Sequence, residues 1–461
     1  MAVDSAAAAD KSGTQASGFR ASNAYRYYVV WLLFVVYVFN FVDRQILSIV
    51  SELIKKDLHL ADWHLGLLSG FAFAAFYSTL GIPIARLADH RSRVNIIGVS
   101  IVIWSAFTAI TGFAKGFWHL LAARIGVGVG EAGCSPPAYS IISDYFEPKK
   151  RATALSIYSM GVYGGGALGF LIGGQVAHVY GWRIAFFAVG LPGLLVALLM
   201  KLTLREPPRG WSEPDVKTTP APPFMHVLRH LWSKPSFRHL SVASGLHAFS
   251  SYGVSTFYSN FFMRTHGMTV SEVGAWLAVV VAAGGLSGTY LGGAACDRYF
   301  AKTQDTRWYL WIPAITLVIV VPMGWVVYSL DNKVAAMLLL IPYIALTAAY
   351  LAPSIASTHR LVGLRERALA SAVLLLVLNF IGNGLGPMVT GTVSHLLNNW
   401  FLEQGVSAAQ AAADGLRWAI RITVAVNIWA AIHYILAART LRADIETGEK
   451  ARAAVLSASA Q

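Results

Sequence analysis

Apolar residues come in runs of about 20 or more, the length a helix needs to cross a hydrocarbon core at 1.5 Å per residue. Read between charge clusters and Pro/Gly breaks, they predict helices over 26–50, 64–86, 94–114, 119–143, 151–178 and 182–203, then over 238–262, 271–296, 308–329, 334–358, 367–396 and 415–440. Barrel strands would alternate apolar and polar residues over about 10 positions, and no such alternation is visible. The chain is 13% charged, against about 25% in soluble domains. The expectation is an all-α, multi-pass membrane protein of twelve transmembrane helices.

A net charge of +13 raises nucleic acid as a partner, and the placement of the basic residues answers it. With the amino terminus inside, about 26 Lys and Arg fall on the inner side, about 8 outside and about 2 within helices. Both termini are therefore expected in the cytoplasm, with the chain in the cell inner membrane. No basic patch interleaved with aromatics lies in a soluble segment, so nucleic acid is not an expected partner; anionic lipid head groups are. Residues 1–25, rich in Ala and Ser with early acids, lack the build of a signal peptide and read as a disordered cytoplasmic tail. Residues 441–461 read as a second cytoplasmic tail. Cys134 and Cys296 fall in different predicted helices and offer neither a disulfide framework nor metal-ligand spacing.

Residues 204–237 are Pro-rich, polar and basic and read as a cytoplasmic linker. They divide the chain into a bundle over 26–203 and a second over 238–440, and the two halves echo each other. ARLADHRSR follows the second helix, with Asp89 and Arg93; GAACDRYFAK follows the eighth, with Asp297 and Arg298. PKKRATALS precedes the fifth helix and LRERALASA the eleventh, so Arg151 and Arg367 correspond. The fifth helix carries Gly161, Gly165, Gly169 and Gly173 on one face, echoed by Gly382, Gly386, Thr390 and Ser394. Rows of small residues allow close helix approach in lipid, and their recurrence suggests pore-adjacent, sliding helices.

These residues together resemble the major facilitator superfamily over residues 26–440. Its loop pattern after the second helix is met at Leu87, Ala88, Asp89 and Arg93 and departs at Ala85, His90 and Ser92; Arg124 with GVGVGEAG and the second-half copy strengthen the likeness. YVFNFVDRQILS, RIGVGVGEAGCSPPAYSIISDYF and GWRIAFFAVGLPGLL look like the Spinster branch. The resemblance implies two pseudo-symmetric six-helix bundles and transport of lysolipids such as lysophospholipids or sphingosine-1-phosphate.

A charge at mid-membrane costs about 2.5–3.5 kcal/mol on the lenient insertion scale, so it must face a partner or a watery cavity. Asp43, Arg44, Arg124 and Glu131 stand out. Arg124 and Glu131 are two helical turns apart and share a face, with Gly128 between them. Asp43 and Arg44 point about 100° apart, so at most one looks straight into a cavity, and Asn40 extends the polar stripe. The four charges form either a static ionic network or a coupling site. In the second reading Asp43 or Glu131 exchanges a proton while Arg44 or Arg124 neutralises it or grips an anionic head group. The second half offers no answering pair, only cavity candidates: His247, Tyr258, Tyr343, Asn379 and Asn383.

Asp89 and Asp297 are expected to dock on the positive amino ends of the eleventh and fifth helices, near Arg367 and Arg151. With Arg93 and Arg298 they would form a cytoplasmic gate that latches when the protein faces outward.

The expected function is secondary active transport by alternating access, proton-linked, of an amphipathic lipid-like substrate by a monomer. No phosphate-cradling GxxxxGK[ST] loop is present, and no cofactor is expected. An exporter of drugs or small organic anions is the alternative. A polytopic lipid-modifying enzyme would need a polar cluster at a membrane face; His119 and the His59, Asp62, His64 group are the suggestive residues, and the latter read as solvated loop positions beside an interfacial Trp63.

Overall fold

The computed structural model describes Phe19 and residues 21–212, 223–363 and 366–459. Most of the expected amino-terminal tail lies outside the described residues. The first half comprises α1 (Asn23–Asp57), α2 (Asp62–Ser69), α3 (Phe71–His90), α4 (Arg93–Thr111), α5 (Phe117–Glu131), α6 (Ser135–Tyr145), α7 (Pro148–Ser159) and α8 (Gly161–Thr203). The second comprises α9 (Phe224–Trp232), α10 (Pro235–Thr256), α11 (Tyr258–His266), α12 (Val270–Thr303), α13 (Trp308–Val327), α14 (Lys333–Ala348), α15 (Leu351–Arg360), α16 (Arg367–Leu378), a π-helical segment (Asn379–Leu385), α17 (Gly386–Glu403) and α18 (Ala408–Ser459).

Helix ends follow the polar punctuation. Ser22 opens α1 by accepting from the Tyr25 N–H at 3.2 Å, and Lys55 and Lys56 close it against the negative end of its dipole. Asn332 accepts from the Val334 and Ala335 N–H groups at 3.0 Å to start α14. Thr269 and Glu272 form a reciprocal capping box on α12.

Among the described residues nine helical stretches are long and apolar enough to cross a membrane. One of them, Lys149–Thr203, is 55 residues long and turns at Gly181, where φ is 82° and only glycine sits without strain. α5, at 15 residues, is too short by itself, and the Ser- and His-rich α10 is too polar to join the nine.

Three departures from the sequence reading concern lengths. α1 runs two turns beyond residue 50, α18 continues through what was read as a tail, and the linker contains a helix, α9.

In the first half α1 and α4 pack on α8, and α4 and α3 pack on α5; in the second α10, α13 and α17 surround α18, and α12 packs on α14. The glycine row of α8 faces α1: a β-carbon on Gly169 would lie 2.8 Å from Gln45 Cβ, and one on Gly173 2.7 Å from Ile46 Cδ1. The matching row around the π-helical segment faces α10, where a β-carbon on Gly382 would meet Ala248. The rows therefore serve packing within each half.

Contacts between the halves run through α8 with α12, α2 with α17, α1 with α11, and α3 with the π-helical segment. At the first crossing Gly174 and Gly274 meet so closely that a β-carbon on Gly174 would lie 3.0 Å from Gly274 Cα.

Candidate functional site

α1 and α5 bring three of the four membrane charges together. Arg44 Nε donates to Glu131 Oε2 at 2.6 Å, and its guanidinium carbon lies 4.8 Å from the Phe73 ring centre and 4.9 Å from those of Phe41 and Tyr77. Arg124, 3% exposed, makes one long bond, Nε to Leu68 O at 3.4 Å, and sits 5.5 Å from the Phe73 ring. Guanidinium groups lie flat on aromatic faces because weak hydration makes that contact cheap. Asp43 lies on the α4 side of α1, within electrostatic reach of Glu131 and Arg124. It is buried beside Thr108, and its Oδ1 has no hydrogen-bond partner. Asn40, also buried, stands beside Glu131.

The two guanidiniums face one small cavity of about 70 Å³. Its wall comes from both halves: Phe41, Gln45 and Ser48 of α1, Ser69, Phe73, and from the second half Tyr252, Ser255, Thr256 and Asn383. The Ser69 hydroxyl is buried without a hydrogen-bond partner. Of the second-half candidates Asn383 alone lines this cavity.

The other candidates are engaged elsewhere. His247 is buried inside the second half, with Nδ1 2.7 Å from Asn427 Oδ1 and Nε2 2.9 Å from Thr347 O. Tyr343 packs edge-on against Tyr328 at 6.1 Å, and Tyr258 is buried in the same core cluster. Asn379 donates to Leu375 O at 2.9 Å within its own helix. The cavity residues missed in the sequence carry hydroxyl, amide or aromatic groups, which are common enough in any helix to give no signal. Phe41 and Ser48 were findable, since they lie three and four positions from Arg44 on one helical face.

One end of the cavity is sealed by a second charge cluster that spans the halves. Arg264 of α11 donates to Glu52 Oε2 at 2.8 Å and, with two nitrogens, to both oxygens of Asp62 at 2.7 Å. Lys55 Nζ reaches Asp62 Oδ1 at 2.7 Å, Ser394 Oγ reaches Asp62 Oδ2 at 2.6 Å, and Asn260 Nδ2 reaches Glu52 Oε2 at 2.9 Å. Below it Ser51 donates to Asn260 Oδ1 at 2.8 Å, and Ser48 to Thr256 O at 2.9 Å. Asp62 is thus buried in an ionic clasp, where the sequence suggested a solvated loop. The reason is a partner 202 positions away. His64 caps the start of α2 by accepting from the Ala61 N–H at 2.9 Å.

The expected gate residues lie at the opposite end. Asp89 and Arg367 are exposed, as is Arg298, and Asp297 accepts from Tyr309 OH at 2.6 Å. Arg151 donates to Ser143 O at 3.1 Å and Ser212 Oγ at 3.3 Å. Arg93 is buried and belongs to the linker instead: it pairs with Asp144 and donates to Glu206 Oε1 at 2.7 Å and Ser140 Oγ at 2.8 Å. Burial of Glu206 opposes its ionisation, but the Val94 N–H, Arg93 and Ser92 outweigh it and hold the carboxyl below its ordinary value.

Helices from two halves around a charged cavity, sealed at one end, define a membrane transporter. The chain belongs to the major facilitator superfamily, whose model matches residues 33–387. Within it the likeness is to Spinster. A bacterial homolog of the human lysosomal transporter Spinster, solved inward-facing and unoccupied, is 35% identical, with a TM-score of 0.85 over 92% of this chain and 99% of that one. An MFS-type efflux pump of Mycolicibacterium smegmatis is 31% identical over 90% of this chain and 93% of its own length. Human protein spinster homolog 1 is 31% identical over 51% of this chain and 46% of its own.

Proposed function

We infer that the chain is a proton-linked secondary transporter that moves an amphipathic, anionic, lipid-like molecule by alternating access, twelve crossings forming two six-helix bundles with both termini in the cytoplasm. The nine apolar stretches support that count once the long one is split at Gly181 and the passages α5–α6 and α10–α11 are added. The clasp then lies on the outer side and the cavity opens inward, in keeping with the inward-facing relative.

The observation that carries this reading is the pair of guanidiniums, Arg44 and Arg124, in a cavity otherwise lined by aromatic, hydroxyl and amide groups. Arg44 is paired with Glu131; among the described residues Arg124 makes one hydrogen bond, a long one to a carbonyl, so it is the group with hydrogen bonds to spare for a phosphate or carboxylate. A neighbouring aromatic wall suits an acyl or sphingoid chain. Arg124→Gln is expected to weaken substrate binding roughly 10- to 100-fold, the worth of a charge-assisted bond of about 1.5–3 kcal/mol. Arg124→Lys should recover part of that, since it restores charge without the planar fork. Equal binding by all three proteins would remove Arg124 from the substrate site.

The deciding assay is uptake of radiolabelled lysophospholipid into proteoliposomes, with and without a pH gradient. Accumulation that follows the gradient supports the reading. Uptake of small organic anions or drugs in its place would favour the exporter reading, which the likeness to the mycobacterial efflux pump supports.

The cytoplasmic latch belongs to the outward-facing state in this scheme. Asp89→Asn removes the charge that would dock near Arg367 and is expected to raise the inward-facing fraction, read as slower labelling of outer-side cysteines and faster labelling of inner-side ones. Unchanged accessibility from both sides would exclude the latch.

A further inference from the structure

α9 is a short amphipathic helix in a segment that the sequence marks only as a linker. Its inner face, Val227 and Leu231, is buried in a cluster with Phe237, Leu310, Leu361 and Leu441, which fixes the helix rigidly to the second half. His230 on its flank lies 3.6 Å from Glu366. The outer face is different: Met225, Arg229 and Trp232, spaced four and three apart, form one exposed stripe, with Met225 53% and Trp232 47% accessible. Arg238, in the first turn of α10, is exposed as well.

No Asp or Glu occurs between Asp215 and Glu272, so nothing acidic from this stretch of chain offsets these cations. Trp232 also lies three residues before Pro235, where α10 begins. The core cluster that takes up Val227 and Leu231 includes Leu310, flanked in α13 by Trp308 and Trp311. Tryptophans collect where a membrane's apolar core meets its head groups, and a basic amphipathic helix with Trp and Met on its open side lies in that layer.

We propose that the Met225–Arg229–Trp232 stripe of α9, with Arg238, is a docking surface for anionic phospholipid head groups. Met225 and Trp232 enter the head-group layer while Arg229 and Arg238 hold the phosphates. The occupant is a lipid surface because the stripe joins apolar tips to cations at the mouth of a membrane helix.

The test uses the full chain in bilayers. Tryptophan emission is measured for wild type and W232F, with bromine-labelled phosphatidylcholine as the membrane quencher and iodide as the aqueous one. The expected result is a bromine-quenched component in wild type that W232F lacks and that iodide does not reach. A parallel arm measures phosphatidylglycerol retained by the detergent-extracted protein. R229E and R238E should each lower it roughly 30-fold, the effect of a two-unit change of charge at an anionic surface, while phosphatidylcholine retention stays constant. Quenching of Trp232 by iodide alone would overturn the proposal and make the stripe a surface for a cytosolic partner. Phosphatidylglycerol retention unmoved by both charge reversals would overturn it equally.

Discussion

Asp43→Asn is expected to abolish accumulation driven by a pH gradient while leaving exchange of substrate across a gradient-free membrane largely intact. Asparagine keeps the size and polarity of the side chain but cannot carry the proton. The two carboxylates of the cluster differ in a way that singles out Asp43. Each has a buried oxygen without a hydrogen-bond partner, Glu131 Oε1 and Asp43 Oδ1, but Glu131 is held through Oε2 by Arg44 at 2.6 Å, whereas Asp43 makes no ion pair among the described residues. A carboxyl in that setting gains most from protonation, since an unpaired buried charge is expensive. Glu131→Gln should behave differently, because it leaves Arg44 as an uncompensated buried cation; losing one partner of such a pair costs about 3–5 kcal/mol. Both modes of transport should then fall. Uptake followed together with internal pH by a trapped dye separates the cases. Should Asp43→Asn keep full pH-dependent transport, Asp43 is not the coupling group; should Glu131→Gln keep it too, the cluster is a static brace.

Asp62→Asn and Arg264→Gln are expected to shift the protein toward an outward-open form. The clasp ties Glu52, Lys55 and Asp62 of one half to Asn260, Arg264 and Ser394 of the other, with little water to replace the lost bonds. Removing one partner forfeits about 3–5 kcal/mol, and about 5.5 kcal/mol carries a two-state equilibrium from 1:99 to 99:1. A cysteine placed at Gln45, in the cavity wall, reports the change. Its reaction with a membrane-impermeant reagent added outside should accelerate by about 100-fold or more. Native Cys134 and Cys296 are buried, so background labelling is small. Ser394→Ala, which removes one hydrogen bond and no charge, serves where the stronger variants misfold and should give a change of about tenfold. Outside labelling that stays at the wild-type rate in Ser394→Ala and in a well-folded Arg264→Gln would show that the clasp does not govern opening.

How much of this could be read in the residues depends on the range of the interaction. Helix existence was legible because each apolar run is its own evidence, and the Arg124–Glu131 face followed from helical spacing alone. That Arg44 and not Asp43 would meet Glu131 needed the rotation of α1 against α5, which neighbouring residues do not set. The clasp was out of reach for the same reason. Asp62 lies in a stretch rich in charge and histidine that looks like solvent-facing loop, and its burial is decided by Arg264, 202 positions away. His247 and Tyr343 show the reverse: polar groups on apolar helices drew attention as cavity candidates, yet Asn427, Thr347 and Tyr328 absorb them inside the second half.

α1 spans Asn23–Asp57 without a single glycine or proline. Arg44, Ser48, Ser51 and Lys55 recur along it at spacings of four, three and four, so the cavity and the clasp are served by one side of one unbroken rod. Rotation that draws Arg44 off Glu131 must also pull Glu52 and Lys55 from their partners. On the proposed proton-linked reading, a carrier geared in this way has little room to slip: states in which the proton has moved but the barrier has not are disfavoured, and futile leakage of the gradient stays low. A glycine pair introduced midway along the rod would loosen the gearing, turning a tight exchanger into one that dissipates protons without cargo.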